Sequence, residues 1–172
     1  MELTKNMAAA VSDQVTMELE ASIVYLQLAI ELEDQDLTGM SSWMRAQAEE
    51  EQVHAAKFMQ HSLDRGTAPQ IGTISAPSFS GKSPAELFQA ALDHERKVSE
   101  SIRNLYRTAQ KEDDIDIIPL LNWFIEEQVE EEASVGEIVG QLEGIGDDFS
   151  GLLRIDAKLG ARTPAVVADT EE

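Results

Sequence analysis

Residues 48–54 read AEEEQVH, and within this stretch Glu51 and His54 stand three residues apart in a segment with the pattern of an amphipathic helix. Residues three or four apart share one face of an α-helix, so this spacing directs a carboxylate and an imidazole toward one point. The same face is otherwise apolar, with Met44 before the pair and Phe58 after it. A helix that carries ligand-type side chains on its inward face is the starting point for predicting the fold.

Three further segments show the same interruption of an apolar stripe. Glu18, Glu95 and Glu131 each stand in the middle of such a stripe, and Gln128 lies one turn before Glu131. A buried carboxylate without a partner is strongly destabilising or stays protonated. Four of them at matching depth therefore predict that the protein binds cations. His94 is adjacent to Glu95, so its side chain points about 100° away, and we expect it at the surface.

The composition limits the class of protein. With 172 residues, of which 42% are hydrophobic, the chain can bury a sizeable core, and we predict a single domain over residues 1–160. Cysteine is absent, which excludes disulfides, thiolate zinc sites and a thiol nucleophile. The net charge of −20 opposes binding to nucleic acid and to anionic membranes, and it attracts cations.

The N-terminal stretch MELTKNMAAAVSDQ lacks the pattern of a signal peptide, and no apolar run approaches the length needed to cross a membrane. We therefore expect a cytoplasmic protein that has no membrane partner.

Four long proline-free stretches are rich in good helix formers and predict four helices, at roughly residues 4–35, 38–64, 84–111 and 120–143. The first and third connections are short, whereas residues 65–82 contain several glycines and prolines and no helical period. This pattern predicts two antiparallel hairpins joined by one long crossover. Residues 148–159 predict a short amphipathic fifth helix, and residues 161–172 a disordered tail.

Four motifs resemble the ferritin family, namely MELEASIVY (17–25), AEEEQVH (48–54), LDHE (92–95) and NWFIEEQVEEE (122–132). The resemblance extends over nearly the whole chain and implies an all-α, ferritin-like four-helix bundle with one long crossover loop and a short fifth C-terminal helix. Ser134 replaces the second histidine of bacterioferritins, and Gln52 stands where their haem-ligating methionine would be. The pattern therefore looks like the non-haem bacterial ferritins, and no haem is expected.

The resemblance also implies roles for individual residues. The first iron would be held by Glu18, Glu51 and His54, with Glu51 bridging to a second iron on Glu95 and Glu131. Gln128 would hydrogen-bond near the second iron, and Tyr25 would have a redox or hydrogen-bonding role, unless it is simply a packed aromatic. A third, more exposed iron site would use Glu50, Glu127 and Glu130, with Glu131 shared, and the alternative reading of these residues is a solvated acidic face.

A set of oxygen ligands with one imidazole suits iron, because hard carboxylates stabilise Fe(III) and two bridged metals can pass two electrons to O₂ or H₂O₂. We predict an iron-storage ferroxidase that oxidises paired Fe(II) and releases it inward as mineral, and the resemblance implies a twenty-four-subunit homo-oligomeric shell. Without a second imidazole, the second iron should be held more weakly. Two alternatives stay open: a ferritin-like diiron oxidase or peroxidase without mineral storage, and a structural bundle that binds no metal.

Overall fold

The computed structural model describes residues 2–75 and 77–161, which form five α-helices and one 3₁₀ turn. The helices are α1 (Lys5–Glu33), α2 (Thr38–Asp64), α3 (Pro84–Lys111), α4 (Ile118–Ile145) and α5 (Phe149–Gly160), and the 3₁₀ turn is Ile115–Ile117. All five predicted helices are confirmed, with ends within two residues of those expected. The tail predicted at 161–172 lies, apart from Ala161, outside the described residues.

Side-chain caps explain where most of the helices begin. The hydroxyl of Thr4 accepts a hydrogen bond from Met7 N at the start of α1. Ser83 and Glu86 form a reciprocal capping box before α3. Asp148 caps α5 by accepting from Ser150 N. These bonds satisfy backbone N–H groups that have no partner within the helix.

The start of α2 is capped from elsewhere in the chain. Leu37, which precedes this helix, offers no side-chain cap, and Met40 N instead donates to Asp156 Oδ1 of α5 at 2.8 Å. The two helices approach closely here because Gly39 faces Gly160: a Cβ on Gly39 would lie 2.0 Å from Asp156 O. The short fifth helix is thus held against the bundle through two glycines and one carboxylate.

Contacts between helices establish the topology. Ser22 of α1 donates to Ala48 O of α2, and Tyr25 of α1 to Glu95 of α3, while α3 and α4 meet through Gln128. The helix pairs α1–α2 and α3–α4 are antiparallel hairpins, and the crossover returns along α1, where Gln70 N and Gly72 N donate to the side chains of Ser12 and Thr16. The predicted arrangement of two hairpins and one crossover is confirmed.

The apolar core is divided into two clusters along the bundle axis. One cluster lies towards the α5 end and includes Leu28, Met44 and Phe88, and the other lies towards the opposite end and includes Val15, Phe58 and Phe124. Between them lies a buried polar layer, to which each of the four long helices contributes. It consists of Glu18, Glu51, His54, Glu95, Gln128 and Glu131.

Among residues 2–75 and 77–161, no helix combines the length and the apolar character that crossing a bilayer would require.

Candidate metal centre

The centre of the polar layer is a cluster of Glu18, Glu51 and His54. All three side chains are at most 2% exposed, and one potential ligand atom from each lies within 4.8 Å of the others. His54 Nδ1 is 3.2 Å from Glu51 Oε2, as the three-residue spacing on α2 predicts. Glu18 Oε2 and Glu51 Oε1 are buried without any hydrogen-bond partner. Two orphaned carboxylate oxygens beside an imidazole are the donor set that a cation would complete.

Glu95 and Glu131 lie in the same layer, and protein groups already hold their carboxylates. Glu95 Oε1 accepts a hydrogen bond from the Tyr25 hydroxyl at 2.5 Å, and its Oε2 accepts from Gln128 Nε2 at 3.1 Å. Glu131 Oε2 accepts from Gln47 Nε2 at 2.9 Å. The layer therefore has two unlike halves: one offers an imidazole and one unpartnered oxygen on each of two carboxylates, whereas in the other both oxygens of Glu95 already accept hydrogen bonds.

Burial raises the pKa of each carboxylate in this layer. Burial is the largest cause that raises the pKa of Glu18, with the nearby Glu51 carboxylate adding to it. Burial, followed by the charges of Glu95 and Glu131, likewise raises the pKa of Glu51. Burial and the Glu95 carboxylate raise the pKa of Glu131 to about 8. A bound cation would compensate this repulsion and displace protons from the site.

Tyr25 is fully buried, and its hydroxyl contacts a predicted ligand. Burial and the adjacent Glu95 carboxylate raise the pKa of the Tyr25 phenol well above its ordinary value. The hydroxyl therefore keeps its proton and donates a hydrogen bond to Glu95. Its ring packs edge-on against Trp43, with ring centroids 6.3 Å apart. Tyr25 thus has both the packing contact and the hydrogen bond that the sequence left as alternatives.

The residues of the predicted third site are placed in two groups. Glu50 and Glu127 are half-buried and approach His54, and one atom from each of these three residues lies within 4.8 Å of the others. Glu130 is exposed and does not belong to this group. The carboxylates of Glu50 and Glu127 therefore lie close to the imidazole of His54. The prediction had assigned this imidazole only to the first iron.

Aromatic side chains fix the imidazole ring. The ring of His54 meets Trp123 and Phe124 edge-on, with centroids 5.6 Å and 5.5 Å away, and Phe58 stacks on Phe124. These contacts leave the ring little freedom to rotate away from Glu51. They also exclude water from this side of the cluster, which strengthens its electrostatic interactions.

Sequence reasoning missed several polar residues that contact the carboxylates of the layer or the amide of Gln128. Gln14 donates to Glu18, Gln47 donates to Glu131, and Ser99 accepts from Gln128. Gln14 and Gln47 are each at most 1% exposed. Gln14 lies four residues before the predicted ligand Glu18, and Gln47 lies on the predicted inward stripe of α2. These positions could have identified both residues. Gln128 Oε1 is buried and lacks a partner, so this amide also has capacity for a further group.

The sequence is similar to those of known proteins over most of its length. The family model described as a ferritin-like domain matches residues 8–145. The bacterial non-heme ferritin of Staphylococcus aureus (strain USA300) is 34% identical over 161 residues, which cover 94% of this chain and 97% of that protein. The corresponding protein of Staphylococcus haemolyticus (strain JCSC1435) is 35% identical over the same share of both chains. The chain therefore belongs to the ferritin family.

Solved structures show the same likeness. The open pore ferritin of the hyperthermophilic archaeon Archaeoglobus fulgidus superimposes with a TM-score of 0.92 at 33% identity, covering 94% of this chain and all of that one. A humanized archaeal ferritin superimposes with a TM-score of 0.91 at 34% identity, covering 94% of this chain and 98% of that one. The fold predicted from the four helices and the crossover is thus confirmed.

Proposed function

We propose that this protein stores iron: it takes up Fe(II) as substrate, oxidises it with O₂ or H₂O₂ at the buried polar layer, and deposits ferric mineral inside a shell built from copies of itself. The observation that carries the proposal is the Glu18, Glu51 and His54 cluster, with its two unpartnered carboxylate oxygens. Membership of the ferritin family supports the same conclusion.

The residues have distinct roles in this proposal. Glu18, Glu51 and His54 bind the first Fe(II), and Glu51 also faces the second Fe(II) together with Glu95 and Glu131. Gln128 and Tyr25 hold Glu95 by hydrogen bonds to its two oxygens, which supports a role in orienting that ligand. Glu50 of α2 and Glu127 of α4, together with Glu130 of α4, would hold a third iron outside the buried site of the first two irons.

The chemistry follows from the donor types. Carboxylate oxygens stabilise Fe(III) relative to Fe(II), so oxidation becomes favourable once two irons are held close together. Protons displaced from the carboxylates on iron binding leave to solvent, so each loading event acidifies the medium. The residues of this centre thus bind the irons, orient them and keep bulk water away from them.

We further propose that residues 1–160 act as one domain that self-associates into a homo-oligomeric shell of twenty-four subunits. The likeness to ferritins over 94% of the chain supports self-association. The cytoplasmic location stays a prediction.

Adding excess Fe(II) to the apo protein in air tests the proposal, with mass and iron recorded together as the product elutes from a sizing column. Many irons per subunit, eluting with a particle of several hundred kilodaltons, are the expected result. A small oligomer that holds no more than about two irons per subunit would instead identify a diiron oxidase or peroxidase without mineral storage. A chain that retains no iron would be a structural bundle.

A further inference from the structure

A buried glutamine outside the predicted ligand set contacts the first ligand of the centre. Gln14 lies one turn before Glu18 on α1 and is 1% exposed. Its amide Nε2 donates to Glu18 Oε1 at 2.7 Å, which is a short hydrogen bond for an amide and a carboxylate. The sequence pattern predicted Glu18 as a ligand but indicated no role for Gln14.

A serine on a neighbouring helix fixes the orientation of that glutamine. The hydroxyl of Ser101 on α3 donates to Gln14 Oε1 at 2.7 Å. An amide has one accepting end and one donating end, so a donor at Oε1 leaves Nε2 facing the carboxylate. Ser101 is only half-buried, so the contact joins the edge of α3 to a ligand in the interior.

The hydrogen bond makes the two oxygens of Glu18 unequal. Oε1 is occupied by Gln14, whereas Oε2 is buried and has no partner. A carboxylate that is free to rotate can bind a cation through either oxygen or through both. Held in this way, Glu18 uses one oxygen for the hydrogen bond to Gln14 and leaves the other, Oε2, available to a cation.

We propose that Gln14 and Ser101 are positioning residues, which fix Glu18 so that it binds the first metal ion through Oε2 alone. This inference rests on the proposed function, since it deepens the account of the same site. Partners that orient a metal ligand typically contribute about 10- to 100-fold to metal affinity. The pair should therefore act on the affinity and the coordination of the first ion, with little effect on the second.

The same helix supplies a matched control. Gln27 Nε2 donates to Glu31 Oε1 at 2.9 Å with the same four-residue spacing, and neither residue belongs to the polar layer. Replacing Gln14 or Gln27 by methionine keeps the shape of the side chain and removes the same type of hydrogen bond. For Ser101, the variant S101A removes the hydroxyl and S101T restores it.

The test is an anaerobic titration of the full-length apo protein with Co(II), which absorbs visible light more weakly as its coordination number rises. We expect Q14M to weaken the first Co(II) site by about 10-fold or more and to lower its absorption per ion, as a second carboxylate oxygen joins the metal. S101A should shift affinity and absorption in the same direction, S101T should restore both, and Q27M should match the wild type.

The outcomes separate the inference from the proposed function. If E18Q leaves the first Co(II) site intact, Glu18 is not a ligand and the proposed centre is wrong. If E18Q removes that site while Q14M and S101A bind as the wild type does, only the positioning role is overturned. A lower melting temperature with unchanged absorption and affinity would also overturn it. Should Q14M fail to fold, the comparison of S101A with S101T decides.

Discussion

Glu51 is the residue on which the proposed metal centre should depend most, because it interacts with Glu18 in one half of the polar layer and with Glu95 and Glu131 in the other. We predict that E51Q reduces the rate of Fe(II) oxidation by at least ~10- to 100-fold, which is the loss that removal of a partner orienting a metal ligand typically causes. The reason is that E51Q alters the proposed ligand of both irons. The melting temperature of the apo protein should rise by about 2–4 °C for each ~1 kcal/mol of repulsion removed.

Stopped-flow absorbance at the start of aerobic iron addition measures the rate, and calorimetry measures the melting temperature. Glu49 provides the control: it lies in the same stretch but is exposed, so E49Q should change neither quantity. Unchanged oxidation in E51Q would rule out Glu51 as a ligand.

His61 should make stability depend on pH. Burial, and then the charge of Arg65, lowers its pKa below the ordinary value of 6.5, and its Nε2 is buried without a partner. The folded state therefore resists protonation that the unfolded chain accepts. The contribution of neutral His61 to the free energy of unfolding is fully present above pH 6.5. It is lost as the pH falls from 6.5 through the pKa of His61 in the folded state.

We expect H61Q to lose less melting temperature than the wild type between pH 7.5 and 5.5, because the glutamine does not titrate. Melting curves of both proteins at several pH values measure this difference. An equal fall in the two proteins would contradict the prediction.

Single residues also mark the limit of what the sequence could predict. The ligand candidates were found because they interrupt apolar stripes with helical spacing, and that pattern is local. His94 was expected at the surface, and this was wrong: it is 5% exposed, and burial lowers its pKa to about 4. The region around it is lined by residues of α1 and of the crossover, including Val24 and Phe79, whose approach no local pattern reveals.

Among the elements, α5 depends on the close approach of two glycines. We predict that G39A displaces α5, because the added Cβ would lie 2.0 Å from Asp156 O, a contact that requires the backbone to move. The cost should be about 1–3 kcal/mol from overpacking, with about 1 kcal/mol more if the cap on Met40 N is lost.

Hydrogen exchange of the amides in Phe149–Gly160 measures the displacement, which should appear as faster exchange than in the wild type. Gly136 on α4 is the control, since a Cβ there would meet nothing within 4 Å, and G136A should leave α5 unchanged. Protection of α5 that is equal in G39A and the wild type would refute the prediction.

The helices themselves were predictable because proline, capping residues and apolar spacing are encoded in neighbouring residues. The capping box at Ser83 is an example, and the structure contains it. The contact of Gly39 with Gly160 was not predictable, because it joins residues far apart in the chain. The 3₁₀ turn at Ile115–Ile117 was also missed, since it is too short to have a periodicity.

At the scale of the whole molecule, the buried carboxylates and the net charge of −20 both oppose folding, so cation binding should stabilise the protein. We predict that Co(II) at ~100 times its dissociation constant adds about 2.7 kcal/mol to the free energy of unfolding. The stabilisation should develop in two steps, because Glu18 and Glu51 have free oxygens whereas both oxygens of Glu95 already accept hydrogen bonds.

Thermal melting across an anaerobic Co(II) titration measures this effect, together with the protons released as the carboxylates bind metal. E51Q is the control, in which most of the stabilisation should disappear. Two equally tight sites per subunit would contradict the predicted inequality of the two halves.

The cap that α5 places on α2 can form only late in the synthesis of the chain. Met40 leaves the ribosome 116 residues before Asp156, the side chain that accepts its backbone N–H. The first turn of α2 therefore lacks the hydrogen bond from Met40 N to Asp156 while most of the protein is being translated. A polypeptide released after Glu131 but before Asp156 would contain every proposed iron ligand, yet the start of α2 would lack the cap on Met40 N.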